Sequence, residues 1–255
     1  PQVAVFDTAF HSTIPPHGFL YAIPYSVYQR HKVRRYGFHG TSHKYVSQRA
    51  AELMGRKIED LKIISCHLGN GASIAAIADG KSIDTSMGFT PLEGLMMGTR
   101  SGDIDPGAIF YIMRKEELNL HEIDSMLNKH SGLYGMAGVS DMRDIEKGIA
   151  EGDKLCKVAF DMYEYRIRKY IGSYIAAMNG VDAIVFTAGI GENTPSLRTA
   201  LVANLPYLGI TLDEEQNKKR GEDIEISTPD SRVRVFVIPT DEELVIARDT
   251  ASIVS

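Results

Sequence analysis

Apolar residues follow two different periods along this chain, and each period predicts a different kind of element. Short continuous apolar runs bounded by turn residues are typical of buried strands, whereas apolar positions three and four residues apart indicate helices. The runs predict strands at residues 3–6, 62–66, 73–78, 81–85, 183–186 and 233–238. The helical spacing, together with capping residues and terminal glycines, predicts helices at residues 41–54, 106–116, 120–129 and 153–178, and two more that begin at Thr194 and Thr240.

The order of these elements predicts the fold class. A meander of strands in the first half is followed by strand, glycine-rich loop and helix in the second half. This order indicates a mixed sheet covered by helices on both faces. No internal repeat or proline- and serine-rich linker divides the 255 residues, and a chain of this length can bury a core without a metal or disulfide staple.

Composition and charge narrow the classes of function. Hydrophobic residues make up 44% and charged residues 24% of the chain, which is typical of a globular protein. The net charge of −5 gives no electrostatic support for nucleic-acid binding, and no apolar run approaches the roughly 20 residues of a membrane span. Two cysteines are too few for a disulfide framework, which with the lack of a signal-peptide pattern predicts a cytoplasmic protein.

A glycine loop connects the first two strands of the meander. The segment reads Ser65-Cys66-His67-Leu68-Gly69-Asn70-Gly71-Ala72-Ser73. Its two glycines allow the backbone to approach a ligand and to turn N–H groups toward phosphate oxygens. The alternative is an ordinary wide hairpin loop. A dinucleotide-binding motif fits poorly, because Gly69 and Gly71 precede a strand rather than a helix.

A second glycine loop, at residues 188–193, lies between the predicted strand at 183–186 and the helix that begins at Thr194. Ligands of open α/β sheets bind at the carboxyl ends of strands, and a helix N-terminus there favours an anion or a polar heterocycle. The alternative is an ordinary strand-to-helix connection, although such a connection rarely needs two glycines.

Arg100 and His39 are candidates for contact with a phosphoryl group. Arg100 lies in the glycine-rich block 88–107, where its guanidinium can either bind a phosphoryl group through two hydrogen bonds or pair with Asp103. His39 lies just before the predicted helix at 41–54, so it either projects into a cleft or is a structural histidine. The histidines show no metal-ligand spacing, so the sequence does not predict a zinc site.

Asp7 and Glu242 are candidates for a carboxylate function. Asp7 directly follows the predicted strand at 3–6, where a catalytic or metal-binding carboxylate is frequent, and it could equally cap a turn. Thr240 and Glu243 match a capping box at the start of the last helix. Glu242 is therefore free, and we predict that it holds Mg²⁺ through water.

The motifs, in their order along essentially the whole chain, resemble the acetokinase family of the acetate and sugar kinase, heat-shock 70 and actin superfamily. They lie at residues 38–43, 67–73, 88–107, 189–193 and 240–250. Each motif is weak alone, but five in order are specific. The resemblance implies an α/β, ribonuclease-H-like (actin-like ATPase) domain, with a mixed sheet flanked by helices, plus the remnant of a second such domain.

The implied activity is that of a carboxylate kinase. Such an enzyme transfers a phosphoryl group reversibly between ATP and acetate, with Mg²⁺ or Mn²⁺, and gives acetyl phosphate and ADP. The resemblance also implies a homodimer, and the many aromatic residues around the helix at 153–178 favour burial of more than one face. The alternatives are a propionate kinase or a non-catalytic ATP-binding module.

By the same resemblance, Asp7, His39 and Arg100 are catalytic. His39 and Arg100 would stabilise the transferring phosphoryl group, and Asp7 would orient Arg100 or the ligands of the metal. Phe38 and Pro91 would form part of an apolar pocket for the methyl group of acetate. The implied nucleotide-binding residues are His67, Leu68, Gly69, Asn70, Gly71, Asp141, Met142, Arg143, Gly189, Ile190, Gly191, Glu192 and Asn193.

The resemblance further predicts the domain organisation. Residues 1–8 would be a remnant of an N-terminal domain, residues 9–241 a C-terminal nucleotide-binding domain, and residues 242–255 a helix that returns to the N-terminal domain. The family's N-terminal phosphate loop and carboxylate-binding arginine are not found, and the chain starts at Pro1 without an initiator methionine. We therefore expect a fragment that binds ATP but does not turn acetate over at a useful rate.

Overall fold

A six-stranded mixed sheet forms the centre of the computed structural model, which describes residues 2–254. Its strands are β1 (Lys62–Leu68), β2 (Ala72–Ala78), β3 (Lys81–Thr85), β4 (Ala183–Thr187), β5 (Ile224–Glu225) and β6 (Arg234–Val237). Their spatial order is β3-β2-β1-β4-β6-β5. The β1–β2–β3 meander is antiparallel, β4 runs parallel to both β1 and β6, and β5 pairs with β6 in the antiparallel direction.

Helices pack on both faces of this sheet. The α-helices are α1 (Pro16–Phe19), α2 (Tyr25–His31), α3 (Gly40–Met54), α4 (Pro106–Lys115), α5 (Leu120–Lys129), α6 (Gly132–Ala137), α7 (Met142–Ala150), α8 (Lys154–Met178), α9 (Ala188–Asn193), α10 (Pro195–Ala203), α11 (Glu214–Asn217) and α12 (Glu242–Val254). Short 3₁₀-helices lie at Ala9–Thr13, Ile58–Asp60 and Pro206–Leu208.

The pleat of β1 divides its side chains between two cores. Ile64, Cys66 and Leu68 belong to the larger core, which is closed by α8, whereas Ile63 packs with Val46 of α3 in the smaller core on the other face. Alternate side chains of a strand point to opposite faces, so a strand that is apolar at nearly every position must be covered twice. The predicted fold class, a mixed sheet flanked by helices, is confirmed.

The meander and several helices lie where the sequence predicts them. Strand β3 and helix α5 have the predicted bounds, and Asp79 and Gly80 form the turn between β2 and β3, with φ of +54° and +72°. Helix α5 is held by a capping box in which the side chains of Asn119 and Glu122 each accept a backbone hydrogen bond. These features are local, because turn and cap residues act within a few positions of the chain.

Two predicted elements are wrong. Residues 3–6 form no strand, because none of the ladders of the described sheet includes them and the ring of Phe6 is 68% exposed. The predicted loop at 188–193 is helix α9, whose first residue, Ala188, turns the chain with φ of +64°. A helical glycine costs only about 1 kcal/mol, so glycines do not prevent a short helix here, and Gly191 packs at ordinary contact distance against Cys66 and Leu68 of β1.

Two predicted caps are also wrong. Thr41 lies inside α3, and His39 occupies the position before the helix, with left-handed backbone angles and no side-chain cap. At α12, Asp241 Oδ1 accepts the Leu244 N–H at 2.9 Å, so Asp241 replaces Thr240 in the capping role. Asp7 therefore follows an irregular segment rather than a strand, and Glu242 is the first residue of α12.

Candidate active site

The turn between β1 and β2 brings Arg100 and His39 to one backbone position. A methyl group built on Gly71 would lie 3.4 Å from Arg100 Nη1 and 3.6 Å from His39 Nε2. Because glycine has no side chain, the backbone at this point is open to both groups. A ligand oxygen here would meet a guanidinium, an imidazole and the loop backbone, a combination that suits phosphate.

The charge of Arg100 has no carboxylate partner among residues 2–254. Its Nη1 donates to the Pro91 carbonyl at 3.1 Å. The alternative of a pair with Asp103 is wrong, because the Asp103 carboxylate accepts from the Gly94 N–H at 2.8 Å and from the Tyr170 hydroxyl at 2.7 Å. The guanidinium is held by a neutral contact and keeps its charge for a ligand.

Asp7 fixes the backbone at His39. The His39 N–H donates to Asp7 Oδ2 at 2.6 Å, and the Gly40 N–H donates to the Asp7 carbonyl at 2.8 Å. A Cβ on Gly40 would lie 2.3 Å from that carbonyl oxygen, so only glycine fits. His39 has φ of +56°, a conformation that is rare for residues other than glycine and often marks functional sites. The described contact of Asp7 is therefore with His39.

The His39 ring belongs to a group of four imidazoles and four hydroxyls. We call this group the histidine–serine cluster: His11, His39, His43, His67, Ser42, Ser65, Ser73 and Ser82. Each of the four Nδ1 atoms lies 2.8 or 2.9 Å from a serine hydroxyl. The His39 and His67 rings stack with their centroids 4.1 Å apart and their planes inclined by 17°.

Burial keeps these histidines neutral at neutral pH. It lowers the pKa of His11 to about 4 and that of His67 to about 3, and it also lowers the pKa of His39 and His43. The positive charge of Arg100 lowers the pKa of His39 further, whereas the Asp7 carboxylate opposes the effect. His39 is thus both a structural member of the cluster and a residue at the edge of the open backbone of Gly71.

Glu242 and Asp7 lie close enough for their charges to interact. Burial raises the pKa of Glu242, and the negative charge of Asp7 raises it further. No group of three or more metal-ligating side chains is found within residues 2–254. Two carboxylates nevertheless fit Mg²⁺, which is commonly held by one or two carboxylates together with substrate phosphates.

A cleft of about 540 Å³ opens beside the β1–β2 turn and extends between α7 and α9. Its volume is within the usual range of small-molecule sites. We call it the nucleotide cleft, and the predicted residues that line it are Gly69, Asn70, Asp141, Met142, Arg143, Gly189, Ile190 and Asn193. Sequence reasoning missed four further lining residues, Ser140, Glu146, Thr194 and Arg220.

The remaining predicted nucleotide residues lie outside the lining of this cleft. Leu68 is buried in β1, and Gly191 is buried where α9 packs on β1. His67 belongs to the histidine–serine cluster. Gly71 faces Arg100 and His39. Glu192 is half-buried in α9, and this burial raises the pKa of its carboxyl group. The structure therefore separates the predicted set into a cleft, a phosphate-facing turn and supporting core positions.

Asp141 and Arg143 form a local pair at the edge of the nucleotide cleft. Asp141 caps α7 by accepting the Arg143 N–H at 2.9 Å, and it also accepts from Arg143 Nη2 at 2.5 Å. These hydrogen bonds lower the pKa of Asp141 to about 2. Arg143 is 87% exposed, so the pair is solvated and can rearrange around a ligand.

Arg198 is a supporting residue that sequence reasoning missed. It is fully buried in α10 and donates to the Gly191 carbonyl at 2.6 Å, the Glu192 carbonyl at 3.0 Å and Asn217 Oδ1 at 2.8 Å. It thereby fixes the last turn of α9 to α11. The signal in the sequence is an arginine next to Leu197 in a helix whose positions Leu197 and Leu201 are apolar.

The two predicted residues of the acetate pocket lie beside the same groups. The Phe38 carbonyl is 3.0 Å from His11 Nε2, and the Phe38 side chain packs against the larger core. Pro91 contributes the carbonyl that binds Arg100. Phe38 is thus held at His11 and Pro91 at Arg100, in each case through the backbone carbonyl.

The mixed sheet, the glycine-lined cleft and the unpaired arginine define an α/β protein with a site suited to phosphate groups. Residues 1–248 match the acetokinase family, and the chain belongs to this family. None of the helices between residues 2 and 254 is both long and apolar enough to cross a membrane.

The chain is similar to acetate kinases from several bacteria. It is 62% identical over 258 residues to the acetate kinase of Thermotoga maritima and 61% identical over 255 residues to that of Halothermothrix orenii. Each match covers 100% of this chain and 64% of the relative, so the chain spans less than two thirds of the length of these curated relatives.

Two solved structures are similar over nearly the whole chain. The acetate kinase of Porphyromonas gingivalis has 51% sequence identity and a TM-score of 0.96, over 98% of this chain and 63% of that protein. A propionate kinase from Francisella tularensis has 47% identity and a TM-score of 0.90, over 96% of this chain and 62% of that protein. The ribonuclease-H-like fold class implied by the motifs agrees with these neighbours.

Proposed function

We propose that this chain carries the nucleotide-binding and phosphoryl-binding part of a kinase that transfers a phosphoryl group between ATP and acetate. The products would be acetyl phosphate and ADP, and the reaction would be reversible. The observation that carries the proposal is the convergence of Arg100 and His39 on the open backbone of Gly71, at the end of the nucleotide cleft. The acetate kinase relatives support the choice of acetate.

The arrangement suits the demands of phosphoryl transfer. The transferred group spreads negative charge over its equatorial oxygens, and the protein contributes chiefly position and complementary charge. Arg100 can place parallel N–H donors on that charge, since no carboxylate competes for them. His39 presents its second ring nitrogen to the same place. The nucleotide cleft would hold the adenosine and the other phosphates along Gly69 and Gly189.

Asp7 and Glu242 are the residues that we propose hold Mg²⁺ or Mn²⁺, directly or through water. When bound, the metal would neutralise phosphate charge and orient the terminal phosphate. The proximity of the two carboxylates supports this assignment, because a cation between them relieves their repulsion. Asp7 would keep its second task, which is to hold the His39 backbone.

Phe38 and Pro91 are proposed to contact the methyl group of acetate. Because one methylene in an apolar pocket is worth only about 1–3 kcal/mol, a propionate kinase would share this site. The likeness to the Francisella tularensis propionate kinase gives that alternative a specific basis. Comparison of kcat/KM for acetate and propionate decides between the two substrates.

The domain organisation, the homodimer and the cytoplasmic location stay proposals. Lys44 Nζ of α3 lies 2.8 Å from Asp249 of α12, and Phe6 and Val245 line a groove beside this ion pair. The groove shared by Phe6 and Val245 supports the proposed association of the N-terminal remnant with the C-terminal helix. A thiol state of the buried cysteines Cys66 and Cys156 suits a reducing compartment.

Helix α8 supports the homodimer, though not through the aromatic residues that suggested it. Tyr163 and Tyr174 are buried within the chain. An apolar stripe at helical spacing is exposed instead, formed by Leu155, Val158, Met162 and Tyr165. A stripe of this kind suits a second copy of the chain. Sedimentation at micromolar concentration tests the proposal, and a monomer would contradict it.

The catalytic proposal is tested by acetyl phosphate formation, trapped as the hydroxamate. We would join this chain to the part of the Thermotoga maritima acetate kinase that it does not match, and assay the product with and without Mg²⁺. We expect Mg²⁺-dependent acetyl phosphate formation and at least a tenfold loss of kcat in Glu242→Gln. ATP binding to the joined protein without any acetyl phosphate would favour a non-catalytic binding module.

A further inference from the structure

We propose that Ser65, His43 and Ser73 form a hydrogen-bonded relay that fixes the tautomer of His39 and leaves the proton on His39 Nε2. The relay residues are positioning residues, since only His39 would touch the phosphoryl group. The purpose of the relay rests on the proposed function, but the tautomer itself can be measured without any activity.

The relay is a continuous line of four side chains. Ser65 Oγ lies 2.8 Å from His43 Nδ1, and His43 Nε2 lies 2.8 Å from Ser73 Oγ. Ser73 Oγ in turn lies 2.9 Å from His39 Nδ1. Ser65, Ser73 and His43 are fully buried, so bulk water does not reach their polar atoms. Every hydrogen bond in the line must therefore be made within the protein.

The line can be polarised in two directions, because each hydroxyl and each neutral imidazole carries one proton. In the first direction Ser65 donates to His43 Nδ1, His43 Nε2 donates to Ser73, and Ser73 donates to His39 Nδ1. In the second direction every donor becomes an acceptor. The Ser65 hydroxyl has one hydrogen-bond partner among the described residues, His43 Nδ1. The second direction therefore leaves the Ser65 proton buried without an acceptor.

An unsatisfied buried donor is costly, so the first direction is the stable one. It also fixes the state of His39. Because His39 Nδ1 accepts from Ser73, the proton of the neutral ring must reside on Nε2. That atom lies beside the open backbone of Gly71, next to Arg100. The opposite tautomer would present a lone pair to a phosphoryl oxygen and repel it.

At His11 a serine hydroxyl also pairs with Nδ1, and a second contact independently fixes the direction of these hydrogen bonds. His11 Nε2 lies 3.0 Å from the carbonyl oxygen of Phe38, which can only accept a hydrogen bond. His11 Nε2 must therefore carry the proton, and His11 Nδ1 must accept from Ser82 at 2.8 Å. His67 Nδ1 is paired with Ser42 at 2.8 Å in the same manner. A serine hydroxyl on Nδ1 is thus the common rule of the histidine–serine cluster.

The groups that face His43 keep it neutral, as the relay requires. The rings of His11, His39 and His67 lie with their centroids 5.7, 6.5 and 6.1 Å from the His43 ring. A positive charge on His43 would be buried among three other imidazoles without a carboxylate contact. The Asp7 carboxylate is hydrogen-bonded to the His39 backbone instead.

Nitrogen NMR of the chain with ¹⁵N-labelled histidine measures the tautomers directly, since the two ring nitrogens give different shifts when protonated or bare. Substitution of single histidines assigns the signals of all eight. We expect His39, His43 and His11 to be neutral with the proton on Nε2. A His39 ring with its proton on Nδ1 would overturn the relay, whether or not the protein has kinase activity.

Ser73→Ala removes the central hydroxyl, and Ser82→Ala is the matched control, because Ser82 is equally buried and equally paired with a histidine Nδ1. We expect Ser73→Ala to convert His39 into a mixture of tautomers and Ser82→Ala to change only the His11 signals. An unchanged His39 spectrum in a folded Ser73→Ala protein would also overturn the relay.

Kinetics of the joined enzyme separate this proposal from the proposed function. We expect Ser73→Ala to lower kcat by at least tenfold with little change in the KM for ATP, because a wrong tautomer affects the transition state. Ser73→Thr keeps the hydroxyl and should restore kcat. Equal kcat for Ser73→Ala and Ser82→Ala would contradict the relay. If the wild-type protein forms no acetyl phosphate but shows the expected tautomers, the proposed function fails and the relay stands.

Discussion

The histidine–serine cluster and the nucleotide cleft are adjacent, but they hold their polar groups in opposite ways. In the cluster, partners are distant in sequence: His11 and Ser82 are 71 residues apart, and His39 and Ser73 are 34 apart. In the cleft, Asp141 pairs with Arg143 two residues away, and the pair is solvated. The cluster is therefore a product of tertiary folding, whereas the cleft edge is assembled from local caps.

The difference follows the chemistry proposed for each region. A transferring phosphoryl group demands fixed donors, and fixed donors require buried supports that cannot move. Nucleotide binding tolerates an open edge whose side chains rearrange, since much of the affinity can come from backbone contacts along glycines. Stability, pH dependence and kcat should then depend on the cluster side, and ligand affinity on the cleft side.

The largest expected effect is on Arg100, at the junction of the two regions. Arg100→Ala in the joined enzyme should lower kcat by about 10³-fold, or about 4 kcal/mol of barrier, because an arginine on the transferring phosphoryl group acts in the transition state. The KM for ATP should change much less. Arg100→Lys should rescue little, since an ammonium lacks the planar fork. Steady-state kinetics measures both constants.

Asp103→Ala is the matched control for this experiment. Asp103 binds Gly94 and Tyr170, so its loss should lower the melting temperature rather than kcat. Arg100→Ala should leave the melting temperature nearly unchanged, because Arg100 has no ion-pair partner among the described residues. If Arg100→Ala keeps more than about a tenth of the wild-type kcat, its assigned role is wrong.

The second effect is a loss of stability in acid that arises from the histidine–serine cluster. Burial lowers the pKa of His11 from 6.5 to about 4, so between these values the unfolded chain binds a proton that the folded chain refuses. The free energy of unfolding must then fall as the pH falls through this window, by about 3 kcal/mol for His11 alone. Urea unfolding at pH 7, 6, 5 and 4 measures the slope.

A neutral substitution sharpens this result. His11→Gln should reduce the slope between pH 6.5 and 4, although it also lowers the stability at neutral pH because two buried hydrogen bonds are lost. His121→Gln changes an exposed histidine of α5 and should leave the slope as it is. A wild-type stability that stays constant from pH 7 to pH 4 would contradict a cluster of buried neutral histidines.

The same contrast explains what the sequence could and could not predict. The bounds of β3 and α5 follow from Asp79-Gly80 and from the Asn119 cap, which act locally. The glycine loops at the ends of two strands are also visible in the sequence and supply Gly69, Asn70, Gly189, Ile190 and Asn193 of the nucleotide cleft, whereas Asp141, Met142 and Arg143 were predicted through the family resemblance. Local signals in the sequence therefore predict the part of the site whose interacting residues are close together in sequence.

The cluster could not be predicted, because its pairs are formed by folding. Nothing near Ser73 in the sequence indicates that its hydroxyl lies between two histidine rings. The wrong strand at 3–6 has a related cause: the continuous apolar run is present, but the edges of the sheet are formed by β3 and β5. A strand requires a neighbour as well as a pattern.

The third effect concerns Arg198, which anchors α9 at the wall of the nucleotide cleft. Arg198→Met should lower the free energy of unfolding by about 2 kcal/mol, since it leaves the buried carbonyls of Gly191 and Glu192 without donors while removing a buried charge. ATP affinity should fall as well, because α9 loses its anchor. Arg220→Met is the control: Arg220 lines the cleft and is exposed, so only ATP affinity should change. Equal loss of stability in both variants would contradict the anchoring role.

The smallest effect tests whether the nucleotide approaches the backbone of α9 in the nucleotide cleft. A Cβ on Gly189 would meet no other atom within 4 Å, so Gly189→Ala should stabilise α9 by about 0.5–1 kcal/mol through reduced backbone entropy. The added methyl group would nevertheless project where a nucleotide must approach the backbone, and ATP affinity should fall.

Gly172→Ala separates the expected gain in stability from the expected loss of ATP affinity. Gly172 lies inside α8, and the only atom near an added Cβ is the Tyr207 hydroxyl at 4.0 Å. The Gly172→Ala protein should gain the same stability, measured by urea unfolding, and keep the wild-type ATP affinity, measured by titration calorimetry. If Gly189→Ala binds ATP as tightly as Gly172→Ala does, the nucleotide does not lie against α9, and the cleft must be assigned to another ligand.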